Sequence, residues 1–201
     1  MGGSMIWPLI IFCALQVATP GPANMVLLAT GAGFGLRRAL PFVCGVALGK
    51  QLLIWPLGLG LLAVAQTAPM VFTGLQYASI IYICYLAWRV AGMRFGDAHA
   101  QYAPPSFAAG LIVHPLNPKA WGMITAAFAT FIPATSPPLT ATLTVAVVLL
   151  AVQAVLHPIW AGAGQLIAAR LKGTRAERPF FVILALLTVA SVVFAFAGGS
   201  R

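Results

Sequence analysis

Acidic side chains are almost missing. The 201 residues include two, Asp97 and Glu177, against eleven Lys and Arg, so the formal net charge is +9. Charged residues make up 6% of the chain, where a soluble domain keeps its surface wet with roughly a quarter. That shortage excludes an ordinary water-soluble globule. The three cysteines, Cys13, Cys44 and Cys84, lack CxxC or Cys/His spacing and read as buried thiols that pack as small hydrophobes. There is no P-loop, and no acid pair, histidine-rich metal cluster or nucleophile beside a base. We therefore expect no ATP use, no cofactor, no metal and no enzyme.

What fills the chain is apolar: 61% of its residues are hydrophobic. About 20 such residues cross a bilayer, so the length allows roughly six spans and short loops. The apolar segments run about Met5 to Gly33, Ala39 to Ala65, Pro69 to Gly92, Phe107 to Ile132, Leu139 to Ala169 and Pro179 to Gly198. The expected fold is an all-α integral membrane protein, one transporter-like domain over 1–201, with the lipid bilayer as its surroundings. The polar stretch 95–105, with Pro104 and Pro105, divides it into halves of about 5–94 and 106–200. Three crossings per half place the halves in opposite orientations, which is the arithmetic of an inverted repeat.

The basic residues are distributed unevenly. Arg37 and Arg38 mark the first connection, Arg89 and Arg94 the third, and Arg170, Lys172, Arg175 and Arg178 the fifth. The second, near Gln66 to Pro69, and the fourth, near Pro133 to Pro138, carry none. This alternation is the positive-inside signature, which puts the basic connections in the cytoplasm and both termini outside. It also makes a nucleic-acid partner unnecessary. The first apolar stretch has no basic residues before it and reads as a retained helix rather than a signal peptide. Trp7, Trp88 and Tyr102 lie near span ends, where amphipathic rings favour the headgroup level. Gly31 to Gly35, Gly45 to Gly49 and Gly92 to Gly96 have the small-xxx-small spacing of close helix packing, and glycine-rich faces of this kind suit a homodimer.

Two motifs interrupt the spans. Before Thr19-Pro20-Gly21-Pro22 the stretch from Ile6 rises only about 21 Å as a helix, against roughly 30 Å of hydrocarbon, so these prolines fall within the membrane and break the first helix. In the fourth segment, His114-Pro115-Leu116-Asn117-Pro118-Lys119 ends one helix and starts another, with Asn117 suited to the N-cap and Pro118 to the first helical position. Broken helices in corresponding positions of two opposed halves point to a central substrate site. Their amino-terminal ends would offer N–H groups and positive dipoles to a carboxylate.

The same residues carry a resemblance. TPGPANMVLLATGAGFGLRRALPFVCGVALG at 19–49, LNPKAW at 116–121 and YICYLAWRVAG at 82–92 resemble the LysE/RhtB family of amino-acid exporters along nearly the whole chain. The resemblance implies a six-helix bacterial inner-membrane protein that exports amino acids or their relatives by secondary transport. It places Pro20, Gly21, Pro22, Asn24, Asn117, Pro118 and Lys119 at the substrate site. Ala23 stands between the PGP motif and Asn24, and Lys50 occupies a place where the family suggests a small or acidic side chain.

Ionisable groups inside spans are functional candidates, which adds Lys50, a cavity-facing substrate residue, and His114 and His157, candidates for proton coupling. Lys119 has two readings, a carboxylate ligand or an anchor for loop carbonyls. Gln16, Gln51 and Gln153 line the cavity or join helices. No acid falls in any span, so a proton relay through a carboxylate is excluded and a cationic side chain finds no counter-charge. The expected substrate is a neutral zwitterion, its ammonium held by carbonyls freed near Gln16 to Thr19. A membrane thiol-redox conduit and a non-transporting assembly partner are the alternatives.

Overall fold

The structure, a computed structural model, describes residues 5–61, 69–95 and 103–198. The neutral second connection around Gln66, most of the linker with Asp97 and Tyr102, Gly96 of the third glycine pair and the residues after 198 lie outside that set. The described residues form helices and no strand: α1 Ile6–Ala18, α2 Pro22–Phe34, α3 Leu36–Pro56, which continues as a π-helical turn Leu57–Leu61, α4 Pro69–Ala91, α5 Phe107–Leu111, α6 Pro118–Phe131, α7 Pro138–Leu171 and α8 Glu177–Gly198. Leu36–Gly60 and Pro138–Leu171 are each long and apolar enough to cross a membrane among the described residues, and α1 with α2, bent by 58° at their break, passes the same test as a pair, as one broken span or a re-entrant loop does.

Both expected breaks are present. α1 ends at Ala18 and α2 begins with Pro22 at its first position, while α5 stops at Leu111 and α6 restarts with Pro118 behind an Asn117 N-cap. Proline has no N–H to lose at a helix start, so the residues that end one helix begin the next.

Glycine sets the helix spacing. A Cβ at Gly31 would overlap the carbonyl of Ala161, and one at Gly164 the carbonyl of Leu28, so α2 and α7 touch backbone to backbone. Gly45, Gly49 and Gly110 do the same for α3 and α5. The first two small-residue pairs thus serve intrachain packing at Gly31, Gly45 and Gly49. Gly35 has a different role: at φ +81 it turns α2 into α3, in a region open to glycine. Next to it, Leu36 N–H donates to Gln165 Oε1 at 2.6 Å.

The basic connections share one end of the bundle. Gln165 reaches the start of α3, Gly33 lies against Arg94, and Glu177 Oε1 accepts from Phe95 N–H at 2.7 Å. Phe95 stacks on Phe180 and Phe181 there, with centroids 5.3 and 5.0 Å away. Trp7, in the first turn of α1, and Trp88, in the last of α4, are exposed. The expectation of three buried thiols needs correcting: Cys13 is buried, but Cys44 and Cys84 are exposed on α3 and α4. Both helices turn an outward face where a cysteine packs against no other helix.

Two apolar clusters make the interior. One joins α2, the first half of α3, α4, α8 and the end of α7; the other joins α1, the last part of α3, α6 and the first half of α7. Along each contributing segment the clusters are separated by polar residues: the PGP break, Lys50, 114–117, and Gln153 with His157. Lys50 stands 12 residues beyond Arg38, a rise of roughly 18 Å, and His157 13 residues before Arg170, roughly 20 Å. Both distances from the basic end are more than half of the hydrocarbon thickness.

Candidate central site

The first break is held by its own side chains. Asn24 Nδ2 donates to Val17 O at 2.7 Å and to Thr19 O at 2.8 Å, and Thr19 Oγ1 donates to Gln16 O at 2.9 Å. A helix broken at membrane depth leaves carbonyls that neither water nor the next turn satisfies, and Asn24 reaches back to take them. Sequence analysis offered these carbonyls to a substrate ammonium. In this conformer Gln16 O, Val17 O and Thr19 O each accept from the chain itself.

At its amino terminus α2 has Gly21 as N-cap with no side-chain cap, and Pro22 follows. The next N–H groups, those of Ala23 and Asn24, find no acceptor among the described residues. α6 differs. Asn117 Oδ1 accepts from Lys119 N–H at 3.1 Å and Asn117 O from Ala120 N–H at 2.9 Å. The expected pair of open helix ends is therefore one open end, α2, and one that its own cap has closed, because asparagine can fold back on the turn and glycine cannot.

Lys119 joins the two breaks. Its Nζ donates to Thr19 Oγ1 at 2.8 Å, Thr19 O at 3.3 Å and Pro20 O at 3.5 Å. Of its two readings, anchoring loop carbonyls is the one this geometry displays. Gly21 is where the lysine crosses, since a Cβ there would lie 3.2 Å from Lys119 Cδ. Trp121 Nε1 donates to Pro115 O at 3.0 Å and steadies the second break.

Between the breaks is a cavity of about 30 Å³, lined by Gln16, Gly21, Asn24, Lys50, His114, Asn117, Lys119, Met123 and His157 among others. It has room for one or two water-sized groups. Lys50 is 3% exposed, and its Nζ meets no hydrogen-bond acceptor among the described residues. The His114 and His157 rings stack with centroids 5.8 Å apart, and Gln153 Nε2 lies 3.3 Å from His114 Nε2. His114 Nδ1, His157 Nδ1 and Gln153 Oε1 are buried without a partner. Of the expected site residues, Gly21, Asn24, Lys50, His114, Asn117, Lys119 and His157 line this cavity, while Pro20, Pro22 and Pro118 are outside its lining, at the two breaks.

The three glutamines separate by role. Gln16 lines the cavity, Gln51 ties α3 to α7 through Ala146 O at 3.1 Å, and Gln153 couples α7 to His114. The contribution of Ala120 and Met123 to the wall is not legible in sequence, because apolar residues on a helix look alike whichever way they point. Among the described residues no group of three or more His, Cys, Asp or Glu could hold a metal. The cysteines are free and none lies at a break, where a thiol conduit would need a pair. A larger cavity of about 460 Å³, lined by Phe34, Tyr85, Trp88, Arg89 and Met93 among others, lies at the basic end of α4, remote from both breaks. Its aromatic wall carries no clustered chemistry.

Comparison with known proteins gives consistent results. The family model described as LysE type translocator matches residues 14–198. The chain is 31% identical to a leucine efflux protein of Enterobacter sp. (strain 638) over 121 residues, which is 57% of each chain. It is 27% identical over 191 residues to a cysteine/O-acetylserine efflux protein of Salmonella choleraesuis (strain SC-B67), covering 94% of this chain and 95% of the relative. An uncharacterised membrane protein of Pseudomonas aeruginosa is 30% identical over 132 residues, 60% of each. The matches to the Enterobacter and Pseudomonas relatives thus span about three fifths of their lengths. No solved structure matches the chain.

Proposed function

Because the chain belongs to the LysE type translocator family, we propose that it is a secondary exporter of neutral, zwitterionic amino acids or close derivatives, working by alternating access across the bacterial inner membrane. The observation that carries this reading is the cavity between two helix breaks, walled by Lys50, Lys119, two histidines and the open end of α2, with no carboxylate. An α-carboxylate is complementary to that wall. A cationic side chain is not, since it would enter a low-dielectric space beside two ammonium groups with no counter-charge. Efflux proteins for leucine and for cysteine and O-acetylserine, all uncharged in the side chain, are among the relatives. The substrate ammonium meets the side-chain oxygen of Gln16, the amide that lines the cavity beside the first break.

Six spans in two inverted halves fit the helix pairing. Exchanging α1 with α5, α2 with α6, α3 with α7 and α4 with α8 converts the contact of α1 on α7 into that of α5 on α3, and that of α2 on α4 into that of α6 on α8. The α3–α7 and α4–α8 contacts map onto themselves. The cavity in this conformer is smaller than an amino acid, so substrate enters as the halves rock apart. The stacked pair His114 and His157 is the proton-coupling element, since each ring lines the cavity and carries a buried Nδ1 with no partner.

Counterflow in proteoliposomes tests the reading. Leucine, cysteine and O-acetylserine should exchange, arginine and a diamine should not, and robust arginine flux would reject the neutral-substrate assignment. Replacing His114 and His157 together by Gln should leave exchange but remove its dependence on a pH gradient; persistence of that dependence would reject their coupling role.

A further inference from the structure

Lys50 presents a charge problem. It is 3% exposed midway along α3, and no acceptor among the described residues reaches its Nζ. The groups facing it are the Cys13 thiol from α1, Lys119 from α6, His157 from α7, His114 from the second break and Asn24 from α2. None is an anion. Of the chain's two acids, Glu177 is engaged at the basic end with Phe95 N–H, and Asp97 belongs to the linker outside the described residues. An ammonium buried at this depth without a counter-charge is among the costliest arrangements a protein can hold.

Three further observations converge on the same space. The N–H groups of Ala23 and Asn24 at the start of α2 have no acceptor. His114 Nδ1 and His157 Nδ1 are buried and unpartnered. The cavity, at about 30 Å³, has room for one or two water-sized groups and not for an amino acid. Donors around a space of that size match a monatomic anion. We propose that the cavity is a binding site for a small inorganic monovalent anion of the halide class, held by Lys50 Nζ and the open N-terminus of α2, which occupies the carboxylate position when no substrate is present and is displaced by the substrate carboxylate. This rests on the exporter reading for the displacement, but the anion site itself follows from the charge inventory.

The test is equilibrium dialysis of the purified full-length protein against radioactive chloride, with gluconate holding ionic strength constant, alongside counterflow on the same preparation. The wild type should bind about one chloride per chain saturably and release it on addition of leucine, cysteine or O-acetylserine. Lys50→Gln should loosen chloride about tenfold or more, the scale of one charge-assisted hydrogen bond. No saturable chloride in the wild type overturns the proposal without any variant having to fold, and unchanged binding in Lys50→Gln also overturns it. Flux without chloride binding rejects the anion site and leaves the exporter standing. Chloride binding that persists while none of the amino acids exchanges or displaces it rejects the exporter and the displacement step.

Discussion

At the scale of single residues, the site is defined by what each polar atom does with its partners. Asn24 follows the PGP motif, was legible as a candidate site residue and lines the cavity, and its Nδ2 satisfies two carbonyls of the broken helix. Removing it strands Val17 O in a buried setting, while Thr19 O keeps Lys119. Asn24→Ala should therefore lower unfolding stability by about 1–3 kcal/mol, the cost of one buried unsatisfied group, read as a fall in thermal midpoint in detergent. An unchanged midpoint would mean that the break needs no internal acceptor relief. The same logic separates the two lysines. Lys119 is committed to Thr19 and Pro20, whereas Lys50 has no such partner, and nothing in the residue type or local sequence distinguishes them.

At the scale of elements, the α2–α7 contact is the most extensive helix pairing among the described residues. Gly31 rests on Ala161 and Gly164 on Leu28, and this closes the bundle toward the basic end. The corresponding contact of α6 with α3 is slight. The two contacts are thus unequal, which is the asymmetry that the proposed alternating access requires of a conformer closed on one side. Gly164→Val cannot be accommodated without moving backbone. We expect it to fold with reduced exchange, tenfold or more below wild type, and with greater alkylation of a cysteine introduced near the basic end of α2. Wild-type exchange with unchanged alkylation would show that this contact does not gate. Small-residue spacing was legible in sequence, but the partner helix was not, because Gly31 and Ala161 are brought together only by the fold.

At the scale of the whole molecule, the basic connections gather at one end, where Glu177 binds Phe95 N–H and Gln165 binds the start of α3. With the positive-inside rule, we propose that the ends of α4 and α7 face the cytoplasm. Cysteines introduced at Arg175 and at Thr135, in a background without the three native thiols, should be blocked in intact cells by permeant reagent only at the first position and by impermeant reagent at the second. The reverse pattern would invert the orientation and, with it, the direction of transport.

The amino-acid sequence by itself determined the membrane class, the six apolar segments, both helix breaks and most of the polar residues that line the central cavity. Those properties are local: proline removes an N–H wherever it stands, and a run of apolar residues is apolar before it packs. Only the tertiary structure decided which polar groups are satisfied. Lys119 meets Thr19 across 100 residues, and Gln153 meets His114 across 39, so their partners depend on how the halves dock. The shortage of acids was visible from the first count, but only the fold shows that Lys50 is the cation left facing it.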